Sequence, residues 1–158
     1  MHPDAITLGK ALGGGLLPVS LFAARREVID VFKPGDHGST FGGNPIAATV
    51  GLEALRLLIE EDLPARSASL GGYFLDRLRK LTSSLISEVR GRGLFAGLQF
   101  DAARISARRV VEHLAVAGIL TKDTHGNTVR FAPPLTISKD ELDWALGQVA
   151  TVLAQLDR

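Results

Sequence analysis

The sequence predicts an α/β fold whose most regular part lies in its second half. The chain has 158 residues, of which 46% are apolar and 22% charged, with a mean hydropathy of +0.17. Such a composition excludes a disordered chain and predicts a packed core. From about residue 94 onward the apolar pattern indicates strand, helix, strand, strand, helix with short connections. This order predicts a small sheet with helices on one side.

The first half is predicted to contain two strands and one helix. Short apolar runs at 5–8 and 18–24 flank three consecutive glycines and predict the strands. Asn44 is the expected N-cap of a helix that reaches about residue 60, because Pro45 suits the first helical position. No helix is evident before Asn44 to cover both faces of a sheet. We therefore expect the partner strands of this half to lie outside the chain.

The second half is predicted to begin with an amphipathic helix and to end with the most clearly marked helix of the chain. The expected elements are a helix over 63–81, a strand over 94–100, a helix over 106–117, strands over 119–122 and 128–131, and a helix from 139 to the C-terminus. Gly118 is the expected stop of the second helix. Ser138 and Glu141 have the spacing of a capping box at the start of the last helix. A turn over 125–127 separates the last two strands.

The charge balance and the residue types absent from the chain exclude several functions. Eighteen lysines and arginines against 17 acidic residues give a net charge of +1, which argues against nucleic acid and anionic membranes as partners. The chain has no cysteine, and its four histidines lack the spacing of a metal site, so no metal is expected. No apolar run approaches the length of a membrane-spanning helix. We expect a cytoplasmic protein that acts on small molecules.

Lys10 is the first candidate for chemistry, because it follows an apolar strand and precedes a glycine cluster that permits close approach of a ligand. It does not belong to a phosphate-binding P-loop, since Ala11 stands where that motif requires a hydroxyl residue. A lysine amine can form a Schiff base with an aldehyde or ketone. The alternative is a solvated surface cation.

Two further segments carry candidate binding residues. Ser39 and Thr40 lie among glycines just before a helix N-terminus, which favours a phosphate or carboxylate; the alternative is a loop capped by its own hydroxyls. Arg130 lies in an apolar strand that runs into two prolines. Its guanidinium can hold a carboxylate through two parallel hydrogen bonds, as in the orientation of an amino or keto acid, unless it forms a structural salt bridge instead.

Together these segments resemble the second half of the class III pyridoxal-phosphate-dependent aminotransferases, which have the type I fold of such transferases. The resemblance rests on four ordered blocks of sequence: 3–15, 33–45, 89–94 and 124–135. Within the class it is closest to the ornithine aminotransferase group, because of the Thr124-His125-Gly126 sequence. The reaction implied is transfer of the δ-amino group of ornithine to 2-oxoglutarate, which gives glutamate semialdehyde and glutamate.

The resemblance also implies roles for the four candidate residues. Lys10 matches the lysine that binds pyridoxal 5′-phosphate covalently and moves the proton during transfer. Thr40, with Ser39 beside it, matches the threonine that reaches the cofactor phosphate of the neighbouring subunit, which implies a homodimer. Arg130 matches the arginine that binds a substrate carboxylate. The phosphate cup, the ring that stacks on the cofactor and the acidic partner of its pyridine nitrogen would all lie upstream of Lys10.

The resemblance divides the chain into residues 1–62, a remnant of the large cofactor-binding domain, and 63–158, a connecting helix and the small C-terminal domain. Three hypotheses remain open. The chain is the lysine-bearing half of an ornithine-type enzyme that needs a separate N-terminal half, an aminotransferase for acetylornithine or another ω-amino acid, or an inactive fragment that serves only for folding or association.

Overall fold

The computed structural model describes residues 2–158, which form two compact units. The first ends at Asp62, and the second comprises Leu63–Arg158. Within the described part of the chain, no helix has the length and apolar character required to cross a membrane.

The N-terminal unit contains a two-stranded sheet and one long helix. Its elements are β1 (Ala5–Leu8), a 3₁₀ turn (Lys10–Gly13), β2 (Leu21–Ala24), the single turn α1 (Arg26–Ile29) and α2 (Pro45–Glu60). Strands β1 and β2 are antiparallel, with Ala5 opposite Ala24 and Leu8 opposite Leu21. The predicted strand over 18–24 is thus shorter at its start, and α1 was not predicted.

The start of α2 confirms the prediction made from Asn44 and Pro45. The side-chain oxygen of Asn44 accepts a hydrogen bond of 2.8 Å from the backbone N–H of Ala47, and Pro45 occupies the first helical turn. The Asn44 amide donates to the carbonyl of Phe41 at 2.8 Å. The cap therefore anchors the loop before the helix as well as the helix itself.

The C-terminal unit is a four-stranded antiparallel sheet with three helices. Its elements are α3 (Leu63–Arg79), β3 (Ile86–Arg92), β4 (Phe95–Phe100), α4 (Ala107–Val116), β5 (Lys122–Thr124), β6 (Thr128–Phe131) and α5 (Lys139–Leu156), with the strands in the order β3-β4-β6-β5. One prediction was wrong in detail, and one strand was not predicted. The strand expected over 119–122 lies at Lys122–Thr124, and β3 was not predicted as a strand.

The helices cover one face of this sheet, as predicted. Nineteen buried apolar residues from the sheet, the helices and their connections form one core. Alternate residues of β4 point into it, Ala96, Leu98 and Phe100, while Phe95 and the residues between them lie on the opposite face. Helix α5 contributes five buried residues, which explains the regular apolar spacing that predicted it. The outer face of the sheet is left without a covering element in the described C-terminal unit.

Local capping interactions fix the helix ends that the sequence predicted. Gly118 has φ of +87°, and the N–H of Ile119 donates to the carbonyl of Leu114 at 2.8 Å. This pattern is a Schellman motif, which favours glycine at that position. Ser138 and Glu141 form the predicted reciprocal capping box at the start of α5.

Candidate active site

Lys10 begins the 3₁₀ turn that follows β1, and its backbone is strained. Its φ of +51° lies in the left-handed region, which costs a non-glycine residue about 1–2 kcal/mol. Gly9 before it is extended, and its carbonyl accepts from the N–H of Leu12 at 3.2 Å. The strained residue is thus held by a hydrogen-bonded turn, and such strain is concentrated at functional sites.

Helix α2 packs against this turn. A Cβ at Gly51 would lie 3.6 Å from the carbonyl oxygen of Leu12 and 3.6 Å from Val19. A Cβ at Gly14 would lie 3.4 Å from the side chain of Ala54. Contacts with α2 therefore fix the chain immediately after Lys10.

Lys10 and Ser39 line the same cavity of about 760 Å³ in the N-terminal unit. Its other walls are the loop around Gly42 and the apolar residues Leu52 and Leu55 of α2. The volume falls within the range of small-molecule and cofactor sites. A cavity with one amine, hydroxyl groups and an apolar wall is suited to an aromatic ligand that also carries an anionic group.

The loop before α2 holds Ser39 and Thr40 in different ways. The Ser39 hydroxyl accepts a hydrogen bond of 3.0 Å from the N–H of Gly42, and a Cβ at Gly42 would lie 2.8 Å from the Cβ of Ser39. Ser39 thus closes a tight local turn, as the alternative interpretation of this segment expected. Thr40 is exposed, and its hydroxyl has no hydrogen-bond partner among residues 2–158.

Arg130 lies in the C-terminal unit, on the outer face of β6, where Val129 and Phe131 on either side point into the core. Its guanidinium carbon is 5.9 Å from the centre of the Phe95 ring, a cation–π contact. No carboxylate of the described chain lies within 4 Å of its side chain. Within the described chain, Arg130 therefore has no acidic partner, and the structural salt bridge named as the alternative does not form there.

A separate cavity of about 420 Å³ surrounds Arg130. Arg90, Arg92 and His125 also line it. The structure thus brings Lys10 and Ser39 together in one unit and places Arg130 in a cationic cavity of the other. Thr40 adjoins Ser39 in the chain but does not line the first cavity.

Sequence analysis did not identify Arg92 and Phe95 as site residues. Their positions follow from strand pairing, since Arg92 lies directly opposite Phe95 across the β3–β4 hairpin. The hairpin was not predicted because β3 was missed. The available signal was the Arg90-Gly91-Arg92-Gly93 sequence, whose two arginines are separated by one residue and so share a face of any strand.

Residues 1–153 match the family Aminotransferase class-III. The chain therefore belongs to the class III aminotransferases, a family of pyridoxal-phosphate-dependent enzymes. Membership of this family confirms the predicted cofactor, pyridoxal phosphate, and the predicted α/β fold of such transferases.

Within this family, the chain is similar to individual ornithine aminotransferases. The chain is 53% identical over 152 residues to an ornithine aminotransferase of Geobacillus sp. (strain WCH70), covering 96% of this chain and 37% of that relative. It is 42% identical to the ornithine aminotransferase of Toxoplasma gondii, and the two structures match with a TM-score of 0.93. The match covers 99% of this chain and 37% of the Toxoplasma chain, whose structure has partial occupancy of pyridoxal phosphate at its active site.

An acetylornithine aminotransferase from Elizabethkingia anophelis is also similar, with 40% identity and a TM-score of 0.91. That match covers 98% of this chain and 42% of the other. The fold alone therefore does not separate the two substrate groups. The chain spans about two fifths of the length of each of these proteins.

Proposed function

We propose that the chain is the lysine-bearing part of an ornithine δ-aminotransferase, which moves the δ-amino group of ornithine to 2-oxoglutarate. Lys10 carries this proposal, because it is a lysine in a strained turn that lines a cavity with Ser39. The 53% identity to an ornithine aminotransferase supports ornithine as the amino donor. Glutamate semialdehyde and glutamate are the products.

The residues of the N-terminal unit fit pyridoxal phosphate. The amine of Lys10 would bind its aldehyde carbon, and Ser39 with Gly42 would lie at the same cavity wall. The free hydroxyl of Thr40 is suited to the phosphate of a neighbouring subunit in a homodimer. When bound, the cofactor supplies an electron-withdrawing ring that stabilises charge on the amino-bearing carbon.

In the proposed reaction, Lys10 would transfer the proton and Arg130 would orient the substrate. The Nζ of Lys10 would take a proton from the amino-bearing carbon of the donor and pass it to the cofactor. In the second half of the reaction it would move a proton the other way, to the oxo-bearing carbon of the acceptor. Arg130 binds a substrate carboxylate through two parallel hydrogen bonds. Its lack of a carboxylate partner within the described chain leaves the guanidinium available for this.

The N-terminal unit would be the remnant of the large cofactor-binding domain, and residues 63–158 the small C-terminal domain. The surface of the first unit supports this assignment. Fifteen of its large apolar side chains are exposed, Phe41 to 81% and Ile59 to 74%, while Ala47 is its one buried apolar side chain among the described residues. A separate N-terminal half, equivalent to the uncovered part of the relatives, would bury them.

Helix α2 indicates where that half would bind. At 100° per residue, apolar side chains occupy about two thirds of its circumference, whereas only a narrow stripe is polar. Ala47 and Gly51 face the Lys10 turn, and the flank of Leu52, Leu55 and Ile59 is exposed. Because Leu52 and Leu55 also line the Lys10 cavity, covering this flank would exclude water from the amine.

The first test is covalent binding of cofactor to the purified chain. With added pyridoxal phosphate, we expect a visible absorbance band that Lys10→Ala abolishes, and borohydride reduction followed by mass mapping should locate the adduct at Lys10. Lys33→Ala is the matched control, because Lys33 is an exposed lysine of the same unit whose amine donates to the Asp30 carbonyl at 3.3 Å, while its backbone N–H donates to the Asp36 carboxylate at 2.7 Å. An adduct shared between both lysines would contradict a specific site.

Activity requires a second test with the missing part supplied. The chain is mixed with the part of the Geobacillus relative that this chain does not match. The mixture should form glutamate semialdehyde from ornithine and 2-oxoglutarate. Activity with acetylornithine instead would favour the second hypothesis, which the Elizabethkingia relative supports. Assembly of the two parts without any transfer would indicate a folding or association module.

A further inference from the structure

The backbone of Arg130 is fixed by the sheet, whereas its long side chain is held by an aromatic ring. Strand β6 pairs Arg130 with Gly97 of β4 and with Lys122 of β5, and the Thr121 hydroxyl donates to the Arg130 carbonyl. Among residues 2–158, the guanidinium donates no hydrogen bond, and its carbon lies 5.9 Å from the centre of the Phe95 ring. The direction of the guanidinium therefore depends on the side chains around it.

Phe95 reaches Arg130 along a diagonal of the sheet. Arg130 lies directly opposite Gly97, and Phe95 lies two residues before Gly97 on the same face of β4. Diagonal neighbours of this kind are about 7–8 Å apart, which aromatic and long side chains can span. The ring and the guanidinium therefore meet because of the strand register, on the side of Arg130 where β6 ends.

A second arginine occupies the opposite side of Arg130. The Arg90 side chain crosses over Gly97, where a Cβ would lie 3.7 Å from it, and its guanidinium donates to the Thr128 hydroxyl at 3.1 Å. Thr128 lies two residues before Arg130 on the same face of β6. Because two guanidinium groups repel each other, the side toward Thr128 is unfavourable for the charge of Arg130. On the other side, the face of the Phe95 ring attracts a cation.

The Phe95 ring is carried by a rigid part of the unit. Phe95 lies between Leu94 and Ala96, whose side chains are both buried in the core. The N–H of Leu94 donates to the Ser67 hydroxyl of α3 at 3.2 Å. A side chain that positions another is most effective when its own backbone is fixed in this way. Phe95 itself is 56% exposed, so its replacement removes the ring without opening a cavity in the core.

We infer that Phe95 is a positioning residue for Arg130, whose guanidinium its ring holds in the direction that binds a substrate carboxylate. The inference rests on the proposed function, which assigns carboxylate binding to Arg130. The ring accepts no conventional hydrogen bond, so the N–H groups of the guanidinium stay available for two parallel bonds to a carboxylate. A long side chain that is ordered before the ligand arrives loses less conformational entropy on binding. Phe95 therefore raises the affinity for a carboxylate without contacting it.

The first readout is NMR of the full chain with isotope-labelled arginine, compared between the parent, Phe95→Leu and Phe95→Tyr. Leucine keeps an apolar side chain without a ring, whereas tyrosine restores the ring. The ring current shifts a group that lies over the ring upfield. The Arg130 Nε–H resonance should therefore be upfield in the parent and in Phe95→Tyr, and should move downfield in Phe95→Leu. Its absence from Arg130→Lys assigns the resonance.

The second readout is binding of pyruvate, a 2-oxo acid with one carboxylate, to the same variants. Phe95→Leu should weaken binding about three- to tenfold, the cost of ordering one long side chain, and Phe95→Tyr should restore it. Trp144→Leu is the matched control, because Trp144 is a 53% exposed aromatic residue of the same unit with no cation over its ring in the described chain. It should change neither readout. Thermal unfolding of each variant checks that the sheet is intact.

Two results would overturn the inference alone. If the Arg130 resonance is the same in the parent and in Phe95→Leu, the ring does not hold the guanidinium. If the resonance moves but both proteins bind pyruvate equally, the contact has no role in binding. A different result would count against the proposed function as well: if the folded parent binds no pyruvate, or if Arg130→Gln binds it as tightly as the parent, Arg130 is not the carboxylate site. The Lys10 adduct still tests cofactor binding separately.

Discussion

Substitution of two adjacent glycines in α3 tests how the C-terminal unit is packed. A Cβ at Gly71 would lie 2.0, 2.3 and 2.4 Å from the carbonyl carbon, oxygen and Cα of Gly93, in the turn between β3 and β4. Contacts of this kind need about 3.4 Å, so Gly71→Ala must move backbone by more than about 1 Å. A Cβ at Gly72 would meet nothing within 4 Å.

The expected free energies of unfolding follow from these distances. Overpacking against backbone costs about 3 kcal/mol. Moving the turn also breaks the 3.2 Å hydrogen bond from the N–H of Leu94 to the Ser67 hydroxyl, which is worth about 1 kcal/mol. Replacing a helical glycine by alanine returns about 1 kcal/mol. Gly71→Ala should therefore destabilise the protein by about 3 kcal/mol, and Gly72→Ala should stabilise it by up to about 1 kcal/mol.

The assay is thermal unfolding followed by far-UV circular dichroism, with urea unfolding as a second measurement. At about 2–4 °C per kcal/mol for a chain of this size, Gly71→Ala should lower Tm by roughly 6–12 °C, and Gly72→Ala should raise it by a few degrees. Equal melting temperatures for the two variants would refute the close approach of α3 to this turn. It would also remove the support for the position of the adjoining Arg92.

Two further substitutions test contacts that hold the C-terminal unit together. Asn127→Asp should destabilise this unit by about 2–3 kcal/mol. The Asn127 amide donates to the carbonyls of Phe100 and Ile105, at 3.2 and 2.6 Å, and a carboxylate would repel both. Urea unfolding measures the loss, and an unchanged midpoint would contradict the expectation. Hydrogen bonds from the hydroxyl and N–H of Ser84 lower the pKa of the Asp157 carboxyl. The ionised Asp157 carboxylate therefore stabilises the fold at pH values above the ordinary aspartate pKa of about 3.9, and this stabilisation is lost as the pH falls through the lowered pKa. Asp157→Asn should flatten the acid limb of a plot of Tm against pH. An unchanged limb would show that Asp157 is not responsible for the loss of stability in acid.

The elements that the sequence predicted accurately are those with local signals. The cap at Asn44, the stop at Gly118 and the capping box at Ser138 each depend on residues within a few positions along the chain. Such interactions are encoded in the sequence at the point where the structure uses them. The helix boundaries could therefore be predicted to within one or two residues.

Strand β3 could not be predicted because its pairing is irregular. The register with β4 shifts between Ile86 and Glu88, so the half-buried apolar residues Ile86 and Val89 are three positions apart rather than an even number. A bulge of this kind removes the alternation by which a strand is recognised. The strand expected over 119–122 was displaced because Ile119 takes part in the Schellman motif that ends α4.

The same distinction applies to the candidate site. Lys10, Ser39 and Arg130 could be proposed from segments of sequence, since each lies among residues whose types already indicate a ligand. Arg92 could not, because its position in the cavity around Arg130 depends on the register that places it opposite Phe95. Charge patterns on a sheet face become visible only when the pairing of the strands is known.

The two units differ in how many of their apolar side chains are buried, and this difference affects the proposed chemistry. Arg130 lies on a sheet whose inner face is backed by a core of nineteen buried apolar residues, so its position is set by this chain alone. Lys10 lies in a unit where Ala47 is the one described apolar side chain that is buried. An isolated two-stranded sheet is marginal in water. The activity of Lys10 in amino transfer therefore depends on what covers the flank of α2, whereas the Lys10 adduct and carboxylate binding at Arg130 can be measured on the chain by itself.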